Sequence, residues 1–312
     1  MLLLTTALLA CAPGGENTGT EDVRVDHAKS TTESVAPRSC VTTDGTVYVT
    51  WHDARDKKDA VWFNKSGDAG VTFLSGDELL SQGNGHARNP AIACDGDRVY
   101  VAWEDTRDGE LEYENIYLQW SDDGGRSWQK DDIALDNDPD GSAMSKGPAI
   151  AAAGDNVWVT WFDQVNGAYD ILVQRSKNGG EDWLDQPVRV DTDTAGAAYS
   201  AWPQIVGDKD DHVVVAWEDR RDGNSDIYVN YSSDNGENFS GEDRRLDVGD
   251  DAGSANSFEP RLAMSGENVY VAWHDERYGD HADILLNLSR SYGEGWRDET
   301  TRMETDAEGI AD

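Results

Sequence analysis

The sequence predicts an all-β fold, a β-propeller of four-stranded antiparallel blades with five repeats. Three observations predict it. Variants of one octet return five times, as SGDAGVTF at 66–73, SDDGGRSW at 121–128, SKNGGEDW at 176–183, SSDNGENF at 232–239 and SRSYGEGW at 289–296. The opening serines, Ser66, Ser121, Ser176, Ser232 and Ser289, are separated by 55, 55, 56 and 57 residues. Each interval carries the same landmarks in the same order, without helical periodicity between them, which is how a propeller writes its blades.

The elements follow in chain order within each unit. A proline (Pro37, Pro90, Pro148, Pro203, Pro260) marks the first strand. Asp-Gly at 44–45 and 95–96 and Gly-Asp at 154–155 then supply a tight hairpin. The second strand is VYVTWHD at 47–53, VYVAWED at 99–105, VWVTWFD at 157–163, VVVAWED at 213–219 or VYVAWHD at 269–275. Its β-branched and aromatic residues suit a pleated, buried strand. Segments such as DIYVNYS at 226–232 form a third strand, and RVD at 189–191 or RLDV at 245–248 a fourth. The octet falls in the turn between them. There Asp68, Asp123, Asn178 and Asp234 accept backbone N–H bonds, glycine takes positive φ, and Trp128, Trp183 and Trp296 fold back against the neighbouring blade.

Around this body the N-terminus divides the chain. Residues 1–10, MLLLTTALLA, read as a lipoprotein signal peptide, Cys11 as the lipidated residue, and 11–22 as a flexible tether to a propeller at 23–312. The expected location is therefore outside the cytoplasm, anchored to the cell envelope at an outer membrane or cell surface, with membrane contact through the lipid only. VRVDHAKSTTESVAP at 23–37 resembles VRVDTDTAGAAYSAWP at 188–203, so the N-terminus supplies a spare fourth strand. It either closes the ring against the fifth unit or lies beside a sixth. Cys40 and Cys94 sit early in successive units and are compatible with one disulfide or with two buried thiols.

Sixty-two acidic residues against 26 basic ones give a formal charge of −36, which excludes nucleic acid and anionic membrane surfaces as partners and suits a salty habitat. The six histidines show no metal-ligand spacing, so no metal site is expected. DNDPDG at 136–141 is the one Ca2+-like stretch; it lacks an EF-hand's spacing and reads as a solvated loop. No cofactor is implied.

Function needs residues that break the repeat, because one ligand cannot use five equivalent positions. The Trp-x-Asp-x-Arg pattern of Asp53/Arg55, Asp105/Arg107, Asp219/Arg221 and Asp275/Arg277 recurs and reads as a loop-closing ion pair. Beside the prolines, Arg38 and Arg261 stand where other units have Ala91, Ala149 and Gln204, and Trp202 and Glu259 stand where others have Ala36, Asn89 and Gly147. Two guanidiniums there can grip a carboxylate.

The octet resembles the Asp box, or bacterial neuraminidase repeat, of the sialidase superfamily of propellers, whose members have six blades; six-bladed closure is the alternative to five. The resemblance implies a triad of arginines on a sugar carboxylate, filled here by Arg38, Arg55 and Arg261, and an aspartate acid/base on the same loop as Arg55, filled by Asp59. It also implies a tyrosine nucleophile polarised by a glutamate. Glu259 matches that glutamate by location and Tyr199 is the available tyrosine, although the final blade that normally carries it has no counterpart here. The expectation is a monomeric, sialidase-like propeller that binds terminal carboxylated sugars of glycans and acts, if active, as an exo-α-sialidase-like glycoside hydrolase. The alternative is a non-catalytic cell-surface propeller binding a protein or polysaccharide; a lyase on the same scaffold is a third reading.

Overall fold

A computed structural model describes residues 22–28, 32–108, 113–137, 143–279 and 281–305. Twenty strands form five four-stranded antiparallel sheets, each assembled in chain order from the inside outward. Blade 1 is β1 (Ser34–Val41), β2 (Val47–Asp53), β3 (Ala60–Ser66) and β4 (Glu78–Leu79). Blade 2 is β5 (Ala87–Asp95), β6 (Arg98–Asp105), β7 (Asn115–Ser121) and β8 (Ile133–Ala134). Blade 3 is β9 (Ser145–Ala153), β10 (Asn156–Asp163), β11 (Asp170–Ser176) and β12 (Val188–Arg189). Blade 4 is β13 (Ser200–Gly207), β14 (Val213–Asp219), β15 (Asp226–Ser232) and β16 (Arg244–Arg245). Blade 5 is β17 (Ser257–Ser265), β18 (Asn268–Asp275), β19 (Asp283–Ser289) and β20 (Thr301–Arg302).

The five-bladed β-propeller expected from the repeat is therefore what the chain forms. The first strands of successive blades pack side by side and line the axis. The second and third strands of blades 2, 3 and 4 are almost wholly buried on both faces, which is why their sequences are continuous apolar runs rather than alternating ones. The fourth strands are two residues long, and a short outer edge offers little to a passing chain.

Hydrophobic clusters lie between blades. Val61, Phe63, Val99 and Trp103 join blades 1 and 2; Ile116, Leu118, Val157 and Trp161 join blades 2 and 3. Ile171, Val173, Val213 and Trp217 join blades 3 and 4; Ile227, Val229, Val269 and Trp273 join blades 4 and 5. The octet aromatics Trp128, Trp183, Phe239 and Trp296 pack against these same four clusters, each on the side of the preceding blade. The octets' polar ends close themselves: Ser66 Oγ donates to Asp68 at 2.6 Å and accepts from Gly70 N at 2.8 Å, while Thr72 N donates to Asp68. Asp123, Asn178 and Asp234 repeat the pattern.

Of the two readings left open for the cysteines, the structure has the disulfide. Cys40 on β1 and Cys94 on β5 are bridged with Cα atoms 6.1 Å apart. Joining blades 54 residues apart in sequence stabilises the fold by about 4 kcal/mol through the unfolded chain it constrains.

Candidate functional site at the axial bulges

Each inner strand breaks its ladder at the proline, which has no N–H to give. The pairing shifts between Val35 and Arg38, Arg88 and Ala91, Ala201 and Gln204, and Phe258 and Arg261, with the same slip opposite Thr160 and Phe162 in blade 3. The residue before each proline takes positive φ: Ala36 51°, Asn89 50°, Gly147 62°, Trp202 55° and Glu259 53°. A left-handed non-glycine residue costs about 1 to 3 kcal/mol, and here the β-bulge imposes it in every blade, re-aiming one side chain per blade. At Gly147 only glycine fits, because a Cβ would lie 2.5 Å from the Phe162 ring.

The bulges are held by the variable residue of Trp-x-Asp in the preceding blade. Asn89 N donates to His52 Nδ1 at 3.2 Å, Gly147 N to Glu104 Oε1 at 2.8 Å, and Glu259 N to Glu218 Oε1 at 2.8 Å. Burial raises the Glu104 and Glu218 carboxyls above the usual glutamate value and lowers His52, which keeps that ring a neutral acceptor. Phe162 can accept nothing, and instead meets Tyr169 and Trp202 edge-on at 5.0 and 5.1 Å. These acceptors, together with Lys146 and Glu114 paired at 3.3 Å, are site residues that sequence reasoning missed. Their signal was the unremarkable x of a structural motif.

Of the expected ligand-binding residues, Arg38, Arg261, Glu259 and Trp202 come to this face. Arg38 and Arg261 each donate one NH1 bond to the preceding prolyl carbonyl at 3.0 Å, which aims both forks alike. Burial, and then the nearby Arg261 guanidinium, pull Arg38 below the ordinary arginine value. Among the described residues Arg38 has no carboxylate partner, whereas Arg261 has only the half-exposed Glu259 at 3.6 Å. Trp202 is 51% exposed, with its ring edge on Phe162.

Three other expected residues are engaged in contacts of their own. Arg55 belongs to the loop-closing set: it donates to Asp53 through Nε and NH2, to Asp77 through NH1 at 2.6 Å, and stacks 4.0 Å over Trp62, which commits its guanidinium to closing the loop. Asp59 precedes β3, and its carbonyl accepts Ala87 N of the next blade, as Glu114, Tyr169 and Ser225 do for their neighbours. Burial alone would raise its carboxyl, but bonds from Arg88 at 2.5 Å and His86 outweigh that and hold it low. Tyr199 is raised by burial, packs edge-on against Tyr169 at 5.3 Å and lies under Arg220; an attacking phenolate needs the opposite shift.

Cys11 and residues 138–141 lie outside the described residues. Asp136, at the head of the Ca2+-like stretch, is buried and accepts Ile116 N at 3.0 Å, a structural bond. The acidic group Asp170, Asp191 and Asp193 already surrounds a cation, since Arg189 NH2 lies 3.2, 2.5 and 2.5 Å from them.

No protein-family model and no curated protein matches the sequence. Solved structures do match in shape. A Hadza microbial sialidase superposes with a TM-score of 0.54 at 16% identity over 84% of this chain, which spans 57% of that sialidase. An α-L-arabinanase from Penicillium chrysogenum gives 0.56 at 16% identity over 86% of this chain and 80% of its own. An ulvan lyase of a polysaccharide lyase family gives 0.58 at 13% identity over 85% of this chain and 70% of its own. What they share is the fold. The propeller is thus common ground between this chain and proteins named for their action on carbohydrates, and the site decides the rest.

Proposed function

We propose that this chain is a glycan-binding propeller whose axial face takes a carboxylate-bearing sugar. The observation that carries the reading is Arg38, half-buried, within electrostatic reach of Arg261 and, among the described residues, without a carboxylate partner, in a chain whose other described arginines largely meet aspartates. Two like charges near each other favour an anion between them, and the guanidinium fork matches a carboxylate. Trp202 offers an exposed apolar platform for a sugar ring at the equivalent bulge of blade 4. The comparisons support glycans as the ligand class. The octets support Asp boxes, and the N-terminus with the Cys40–Cys94 bridge supports an exported protein anchored through Cys11. On this reading the protein works as a monomer.

Binding is favoured over hydrolysis because Asp59 is engaged by Arg88 and His86, and Tyr199 packs against Tyr169 under Arg220. One observation favours a second reading, hydrolysis with Glu218 as acid: its carboxyl is buried, raised by desolvation, and close to both Tyr199 and Arg261. The test is calorimetric titration with a sialoside and a glucuronide, run alongside release of a fluorogenic aglycone from an α-sialoside. Arg38→Ala and Arg261→Ala are each expected to weaken binding about tenfold or more, the loss of one charge-assisted contact. Unchanged affinity in both variants refutes the site. Turnover that Glu218→Gln abolishes moves the protein to the hydrolases.

A further inference from the structure

Among the described residues, hydrophobic clusters seal four of the junctions around the ring and none spans the fifth. The second residue of the Trp-x-Asp strand is buried in four blades, as Tyr48, Tyr100, Trp158 and Val214, yet Tyr270 in blade 5 is 37% exposed. The residue after the fourth strand is buried as Leu80, Leu135, Val190 and Leu246, yet Met303 is 54% exposed. Along β18 the side facing blade 4 is buried at Val269, Val271 and Trp273, while Tyr270, Ala272 and His274 on the other side are not. Among the described residues no bulge amide reaches His274, which packs edge-on against Phe258 at 5.3 Å.

The opposite wall of this notch is already partly built. Val25 packs on Trp51 and Trp62, and its carbonyl accepts Asn64 Nδ2 at 3.2 Å. Asn230 donates in the same way to Val190 at 3.1 Å, and Asn287 to Leu246 at 3.3 Å. His27 N donates to Asp77 at 2.8 Å, as Gln82 N does to Asp132 and Thr192 N to Asp243. Residues 22–28 therefore hold the place after a fourth strand, in register, for a blade that would precede blade 1. Arg24 has the position of Arg189, Arg245 and Arg302, each of which pairs with the aspartate opening its own blade's third strand, Asp170, Asp226 and Asp283. Arg24 instead bonds Asp26 and stays exposed.

We propose that the notch between blade 5 and residues 22–28 is a docking site for a three-stranded antiparallel meander built like this chain's own blades. The occupant's chemistry is set by its two walls. One side is apolar, to cover Tyr270, Ala272, Leu286 and Met303; its third strand opens with an aspartate for Arg24 and pairs along residues 23–26. A lone strand could not cover both walls, and the far face of blade 5 matches the face that blade 4 presents to blade 5, Val214, Ala216 and Val229. The inference uses no residue of the axial site, but Arg38 on β1 and Arg261 on β17 stand on the two blades that flank the notch.

The test adds the meander to the whole protein. Two extended forms carry, after Asp312, a second copy of residues 256–289 or of 199–232. At least one is expected to raise the thermal midpoint by about 5 °C or more and to slow amide exchange over 23–26 and β19 about tenfold. Arg24→Ala, Tyr270→Asp and Met303→Asp should each reduce that gain in the extended form while leaving the unextended midpoint unchanged, because all three are exposed there. No gain from either extension overturns the proposal. So does a dimer of the unextended chain that protects β18 and β19, which would make a second copy the occupant.

Discussion

Asp219 shows how one carboxylate can close a blade. It is fully buried and accepts Trp217 Nε1 at 2.9 Å, Ser200 Oγ at 3.0 Å, and three donors of Arg221, the amide, Nε and NH2, at 2.9, 2.9 and 2.6 Å. Arg221 spends its remaining nitrogen on Asp243 at 2.8 Å. Removing a buried charge that satisfies so many donors leaves them in low dielectric without water, a loss of about 3 to 5 kcal/mol. Asp219→Ala is accordingly expected to lower the unfolding free energy by that much, read as a lower urea midpoint at unchanged slope, and Asp219→Asn, which keeps the tryptophan bond, by less. A cost under about 1 kcal/mol would show the network is dispensable. The same constellation claimed Arg55. The sequence displayed that arginine both as a member of a repeated pair and as a sugar-binding candidate, and its decisive partner, Asp77, is 22 residues away and invisible to local pattern.

At the scale of elements, the repeat was legible because every blade must solve one packing problem with the same residue types. The period, the strand order, the hairpins and the octet turns all follow from that. The residues that break the pattern, Arg38, Trp202, Glu259 and Arg261, could be singled out for the same reason. Pairings between blades could not: Arg88 reaches Asp59 across 29 residues, and Glu218 holds Glu259 across 41. The octet turns carry a pH dependence. Hydrogen bonds from Ser66 and Thr72 hold Asp68 down at about 2, and those from Asn238 overcome burial to hold Asp234 at about 2. Both folded values lie below the unfolded aspartate's, so the stabilisation is complete above about pH 4 and is lost as the pH falls through about 2. The urea midpoint should drop across that window. Asn178 occupies the same place in the third octet, accepting Ser176 Oγ and Asp182 N, so an amide can fill it. Asp68→Asn with Asp234→Asn should therefore flatten the decline; an equally steep decline in the double variant would place the titration elsewhere.

For the whole molecule, two charge populations respond differently to salt. The arginine–aspartate pairs of the blades are mostly buried, with Asp53, Asp219 and Asp275 side chains fully covered, so mobile ions reach them poorly. The excess that makes the net charge −36 lies largely in exposed carboxylates, which repel one another across the surface and favour the expanded chain. Exposed pairs such as Lys209 with Asp210 offset little of this. Raising NaCl from 0.1 to 1 M shortens the screening length from about 10 to about 3 Å, which removes repulsion between surface carboxylates while leaving the buried pairs intact. The thermal midpoint should rise over that range, and urea rather than guanidinium should be the denaturant, because a salt would screen as it unfolds. A falling midpoint would mean that the ion pairs, not the repulsion, dominate the electrostatics of folding. The acidic composition would then be a property of solubility alone, with no part in the stability of the blades.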